Sequence, residues 1–146
     1  VDRVIFIEKS AKMIKLAQAT APRNVQFICA DFLEYALEDE STHVVICPFF
    51  LDVFTLRQLG EVLDKIARIL KKRGSLLVSD FQYTTWWSKQ LIKLMYAFFE
   101  KTTRIAAHQL APLNTLILAK GFENRGNHLK KERMIFSKSY AKINTK

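Results

Sequence analysis

With four glycines and two cysteines in 146 residues, the chain has little of what marks several protein classes. Cys29 and Cys47 each fall inside an apolar, strand-like run, so they suggest neither a disulfide framework nor a cysteine metal site, and a free thiol there behaves as a small hydrophobe. No apolar stretch reaches the ~18 to 20 residues of a bilayer-spanning helix, because Lys or Glu interrupts each candidate. The N-terminus also lacks the basic-then-apolar layout of a signal peptide, and the expectation is a soluble, cytoplasmic protein with no membrane partner. His43, His108 and His128 are too scattered for a metal triad, and neither a Ser-His-Asp pattern nor a nucleophilic cysteine signature occurs. Tyr96 and Lys101 lie five apart, which misses the four-residue spacing of a dehydrogenase Tyr-Lys pair.

Acidic residues are scarce in one half only. Residues 1–81 hold 11 Lys and Arg against 11 Asp and Glu, whereas residues 82–146 hold 12 against 3 and supply the whole net charge of +9. Such an asymmetry suits either a solubilising face or a surface for nucleic acid or an acidic partner. The 49% hydrophobic content is ample for a core, and the length suits one domain spanning residues 1–146.

The hydrophobic pattern alternates between short runs and helical spacing. Residues 3–7 read as a strand, followed by a helix from Ala11 to about Thr20 that Ser10 caps and Pro22 ends. Val25 to Cys29 is a second strand, followed by Asp31 and a short amphipathic turn through Leu33 and Leu37; Val44 to Cys47 is a third strand. Leu59, Val62, Leu63, Ile66, Ile69 and Leu70 recur at helical spacing over Leu56 to Lys71, with Lys71-Lys72-Arg73-Gly74 as the stop and a strand from Ser75 to Phe81. Strands and helices alternating at these lengths imply a parallel sheet with right-handed crossovers. Further on, helices are expected from Trp86 to about Thr102 and from about His108 to Lys120. Phe122 to about Asn127 and Met134 to Ile143 are placed to pair as an antiparallel hairpin.

Three acids stand at or just past strand ends: Glu8, Asp31 and Asp80. Open parallel sheets bind ligands outside the carboxyl ends of their strands, which makes these acids candidates for one rim, although acids also follow strands as caps and turn formers. A carboxylate at Glu8 offers two oxygens to the two hydroxyls of a ribose, and Asp31 can accept from an adenine amine with Phe32 against the ring. A ribose-binding acid after a strand is shared with nucleotide-dependent dehydrogenases.

The order of these pieces resembles the class I S-adenosylmethionine-dependent methyltransferases. The resemblance rests on Val4-Ile5-Phe6-Ile7-Glu8-Lys9-Ser10 with Met13 and Ala17, on Phe27 to Phe32, on Val44-Val45-Ile46, on Leu70 to Val78, and on Gly121-Phe122 before a hairpin. It implies a Rossmann-like α/β fold: a mostly parallel sheet with helices on both faces and a C-terminal antiparallel hairpin. It also implies S-adenosyl-L-methionine as cofactor, with Glu8 at the ribose, Lys9 next to it as a further cofactor-binding residue, Asp31 and Phe32 at the adenine, and Pro48 and Phe49 near the methionine portion. The family's first strand and glycine-rich loop have no counterpart, so an N-terminally truncated or processed chain is expected. The implied strand order sets Cys29 and Cys47 about three strand spacings apart, roughly 14 Å, too far for a disulfide.

The expected activity is methyl transfer to a small-molecule acceptor, with Asp80, Asp52 or Tyr83 able to take a proton from a hydroxyl. Cys47-Pro48-Phe49-Phe50 lacks the polar first residue of the motif used on nucleobase amines, and Tyr83, Trp86 and Trp87 suit an apolar wall or lid. The alternative is a non-catalytic methyltransferase-like module that binds nucleic acid or an acidic partner through the basic C-terminal half.

Overall fold

In the computed structural model of the chain, residues 2–81, 112–129 and 135–143 are described. Tyr83, Trp86, Trp87, the expected Trp86 to Thr102 helix and the beginning of the His108 to Lys120 helix lie outside them. The residues group into two units, Val1–Leu37 and Glu38–Lys146.

In the first unit, β1 (Val4–Glu8) pairs in parallel with β2 (Val25–Cys29), with Val4 opposite Val25 and Glu8 opposite Cys29. Between them runs α1 (Ala11–Gln18), which starts where expected because Ser10 is extended and its hydroxyl accepts from the Met13 amide at 3.3 Å. Ile14 is the residue that α1 buries. The Phe6 and Phe27 rings pair across the two strands at 5.4 Å between centroids.

The second unit is built on a four-stranded sheet in the order β3 (Thr42–Pro48), β4 (Leu70–Phe81), β6 (Ile135–Lys142), β5 (Phe122–Leu129). β3 and β4 are parallel, and β6 runs antiparallel to both β4 and β5, so the last strand in sequence is inserted between its predecessors. The hairpin expected from the sequence is therefore present, with its second strand nearer the sheet centre than its first.

Helix α2 (Leu56–Ile69) is held at its start by a reciprocal cap: the Thr55 hydroxyl accepts from the Gln58 amide, and the Gln58 side chain accepts from the Thr55 amide at 3.2 Å. Leu59, Val62, Leu63, Ile66 and Ile69 form its buried face, as their spacing predicts, and Lys65 is buried as well. The helix ends at Ile69, two residues before the expected stop. Leu70 is fully buried and already extended, pairing with Thr42, while residues 71–74 bulge out before Ser75 resumes the ladder opposite Val44. Arg73 takes the positive φ of this bulge, at 60°. Gly74 is required by close approach instead, since a Cβ there would meet the Lys71 carbonyl oxygen at 2.8 Å and the His43 carbonyl oxygen at 3.2 Å.

The described part of the next helix is α3 (Leu113–Ala119), which packs on β5 and buries Leu113 and Ile117. Gly121, with φ at 82°, makes the turn from α3 into β5. The core of the second unit lies on one sheet face: Leu76 and Val78 of β4, Cys47 of β3 and Tyr140 of β6 are all 3% exposed or less. Among the described residues, no helix is long and apolar enough to cross a membrane.

Candidate active site

Both units carry sequence-selected residues at the carboxyl ends of parallel strands. In the first, Glu8 closes β1 and is half-buried. Its Oε1 accepts from the Ser10 amide at 2.7 Å, which fixes the carboxylate at the mouth of α1. Among the described residues, Oε2 accepts no hydrogen bond, so one oxygen is held and the other is open to a donor.

Asp31 stands just past β2 and is more committed. Its Oδ1 accepts from the Leu33 amide at 2.9 Å, its Oδ2 accepts from Lys9 Nζ at 3.0 Å, and its carbonyl accepts from the Glu34 and Tyr35 amides. The carboxylate thus caps the short turn expected here and binds the residue that follows Glu8. Lys9 is largely exposed, and the hydrogen bond to Asp31 is the main cause that holds its ammonium above the ordinary lysine pKa. In a solvated pair of this kind the stabilisation is small. Phe32 is half-buried beside the turn. Within this unit Glu8, Lys9 and Asp31 are brought together at adjacent strand ends, and the Lys9–Asp31 pair was not foreseen. Its only signal in the sequence was that both residues follow the ends of strands that pair in register.

In the second unit, β3 ends at Pro48 and the next residue, Phe49, has φ at +50°, a left-handed conformation that is unfavourable for a bulky side chain. Its amide donates to the Ser79 carbonyl at 2.7 Å and so extends the β3–β4 ladder by one bond. Pro48 and the Phe49 side chain are exposed at the strand end, the latter by 44%. The chain then turns through a short 3-10 segment, Leu51–Val53, braced by an edge-to-face contact of Phe50 with Phe54. Leu51 is fully buried.

Asp52 and Asp80, expected as rim acids, are buried: Asp52 is 8% exposed and Asp80 is inaccessible. Alternation along β4 explains the second, because Leu76, Val78 and Asp80 share the buried face while Leu77 points out. Burial pushes the Asp52 carboxyl above the ordinary range, partly offset by hydrogen bonds to its own backbone and to Asp80. Asp52 Oδ1 is buried with no hydrogen-bond partner among the described residues.

Cys47 is buried near this pair. Burial, and then the charge of Asp80, push its thiol up to about 12, so it remains protonated and unreactive as a nucleophile. Cys29 is exposed instead, its sulfur 3.7 Å from the Lys9 carbonyl; both thiols are free. No group of three metal-ligating side chains occurs among the described residues.

Residues 1–74 match the sequence model of a methyltransferase domain. Comparison with curated proteins returned no match. Several solved structures share the fold. One is an S-adenosylmethionine-dependent methyltransferase from Mesorhizobium loti (TM-score 0.73, 11% identity), in which 97% of this chain covers 81% of that one. Another is an S-adenosylmethionine-dependent methyltransferase from Methanosarcina mazei (TM-score 0.68, 15% identity), with 97% and 82% covered. A third match is to the complex between the Haloferax volcanii Trm112 methyltransferase activator and a methyltransferase (TM-score 0.71, 14% identity), with 100% and 74% covered.

Proposed function

The chain belongs to the methyltransferase-domain family, whose cofactor is S-adenosyl-L-methionine, and from that premise we propose that it moves a methyl group from this cofactor to a small-molecule acceptor. The bound cofactor supplies a methyl group on a positively charged sulfur, an electrophile that needs little activation, and the protein's task is binding and alignment.

The observation that carries this reading is the carboxylate of Glu8. One oxygen is pinned by the Ser10 amide and the other is open, at the end of a parallel strand, which is the arrangement a ribose hydroxyl requires. Asp31 is assigned to the adenine amine, with Lys9 holding the carboxylate in place and Phe32 beside it. Pro48 and Phe49 are assigned to the methionine portion, and the strained backbone at Phe49 supports a role for that strand end. The exposed Phe49 side chain favours an acceptor with an apolar body. Of the groups expected to take a proton from it, Asp52 and Asp80 are buried, which leaves Tyr83 as the candidate. All of these belong, in this reading, to one methyltransferase-like domain spanning residues 1–146.

Calorimetric titration with S-adenosylhomocysteine tests the assignment without knowledge of the acceptor. Wild type is expected to bind, and Glu8→Ala to bind roughly tenfold or more weakly, since a hydrogen bond to a charged group contributes about 1.5–3 kcal/mol. Equal affinities would remove Glu8 from the site, and absence of binding by the wild type would overturn the cofactor assignment for this chain.

A further inference from the structure

We propose that Lys9 is a positioning residue that acts through Asp31: by holding that carboxylate in one orientation, it sets how strongly the site prefers a purine that carries an amine. In the cofactor reading above, on which this rests, Asp31 meets the adenine amine. Lys9 then selects the base without a contact of its own to it.

Both side chains start from fixed points. The Glu8 carbonyl, just before Lys9, accepts from the Ala30 amide at 3.2 Å, and the Cys29 thiol donates to the Lys9 carbonyl at 3.7 Å, so the Lys9 backbone is tied to the end of β2. The Asp31 carbonyl accepts from the Glu34 and Tyr35 amides at 3.1 and 2.9 Å, which anchors its backbone in the turn. From these points Lys9 Nζ reaches Oδ2 at 3.0 Å while the Leu33 amide reaches Oδ1 at 2.9 Å. The last torsion of an aspartate is only weakly restrained on its own, and two donors on two different oxygens oppose its rotation. Loss of Lys9 withdraws one of them.

Stability is not what this pair supplies. The two side chains are 78% and 26% exposed, and an ion pair so solvated does little for the fold. Its effect is on orientation and charge. The hydrogen bond to Asp31, then the charge of Asp31, hold the Lys9 ammonium above its ordinary pKa, with a further attraction from Glu34, so it stays a cation beside the carboxylate. An ionised carboxylate accepts and cannot donate, and what it rewards in a base is an N–H.

Calorimetry on the whole chain with two ligands tests this: S-adenosylhomocysteine and its deamino analogue, in which hydrogen replaces the adenine amine. Wild type is expected to bind the deamino analogue about tenfold more weakly, the loss of one hydrogen bond to a charged group. Lys9→Met, an uncharged substitution at an exposed position, should weaken S-adenosylhomocysteine about threefold or more and leave the affinity for the deamino analogue unchanged. In an Asp31→Asn background the same substitution should change neither affinity. Equal weakening of both ligands by Lys9→Met would mean that Lys9 touches the ligand itself or supports the fold, and would overturn the proposal. So would an unchanged affinity for both, or an effect that persists undiminished with Asp31→Asn. If wild type binds and Glu8→Ala weakens it while Lys9→Met keeps the wild-type preference, the assignment of Lys9 falls alone; absence of binding by the wild type removes the cofactor reading and this role with it.

Discussion

The strands β1 and β4 are both apolar runs in parallel pairs, yet they meet different fates. In β1 the side chains of Val4, Ile5 and Phe6 are 37%, 40% and 38% exposed, on both faces of the strand, whereas Leu76 and Val78 of β4 are at most 1% exposed. The difference lies in what covers them. β4 is flanked by β3 and β6 and packs against α2, while in its unit β1 has β2 on one side and the single helix α1. A run of Val, Ile and Phe states that a segment prefers burial; the neighbours decide how much it receives. The second unit therefore holds the cooperative core, and the first holds Glu8 and Asp31 on a lighter scaffold.

The most severe way to break this contrast is to empty equivalent apolar positions in the two units. Leu63→Ala in α2 removes a fully buried side chain and should cost about 2–5 kcal/mol, read as a lower urea midpoint. Phe6→Ala, at 38% exposure, should cost clearly less. Equal losses would mean that β1 is as tightly packed as the helix face. Next comes Gly74→Ala, which forces a Cβ onto two carbonyl oxygens and should destabilise the second unit by about 1–3 kcal/mol in the same measurement. A neutral result would show that the bulge relaxes freely.

Helix caps sharpen the comparison further. Thr55→Ala should cost about 1 kcal/mol and appear in global unfolding, because α2 supplies the buried face of its unit. Ser10→Ala should cost a similar or smaller amount and appear mainly as faster amide exchange at Met13, since α1 buries little. The smallest perturbation is chemical: a thiol reagent should label Cys29 in the native protein and leave Cys47 untouched until unfolding. Fast labelling of both would place the opening of β3 on the same footing as the exposed strand.

Much of the fold was legible in local pattern. The second strand was read with its observed bounds, the first helix from Ser10, and the buried face of α2 from its spacing. The end of α2 was not, because Lys71-Lys72-Arg73-Gly74 looks like a helix stop, while Leu70 is claimed by the sheet opposite Thr42. At the candidate site, Glu8 and Asp31 were visible as acids after strands. Their bonding was not: Asp31 is tied to Lys9 through the pairing of β1 with β2, and Glu8 spends one oxygen on the Ser10 amide at the start of α1. Asp52 and Asp80 were read as rim residues, and both are buried instead, Asp80 because alternation along β4 turns it to the covered face and Asp52 because the 3-10 turn packs against β4.

By itself, then, the sequence determined which segments are strands and helices and which chemical groups stand at strand ends, since periodicity, caps and turn residues act over a few neighbours. Only the tertiary structure decided strand order, with β6 inserted between β4 and β5, and which apolar faces were covered. It also decided which acids stay partly solvated and which are buried. Those outcomes depend on groups far apart in the chain, whose approach no local pattern encodes.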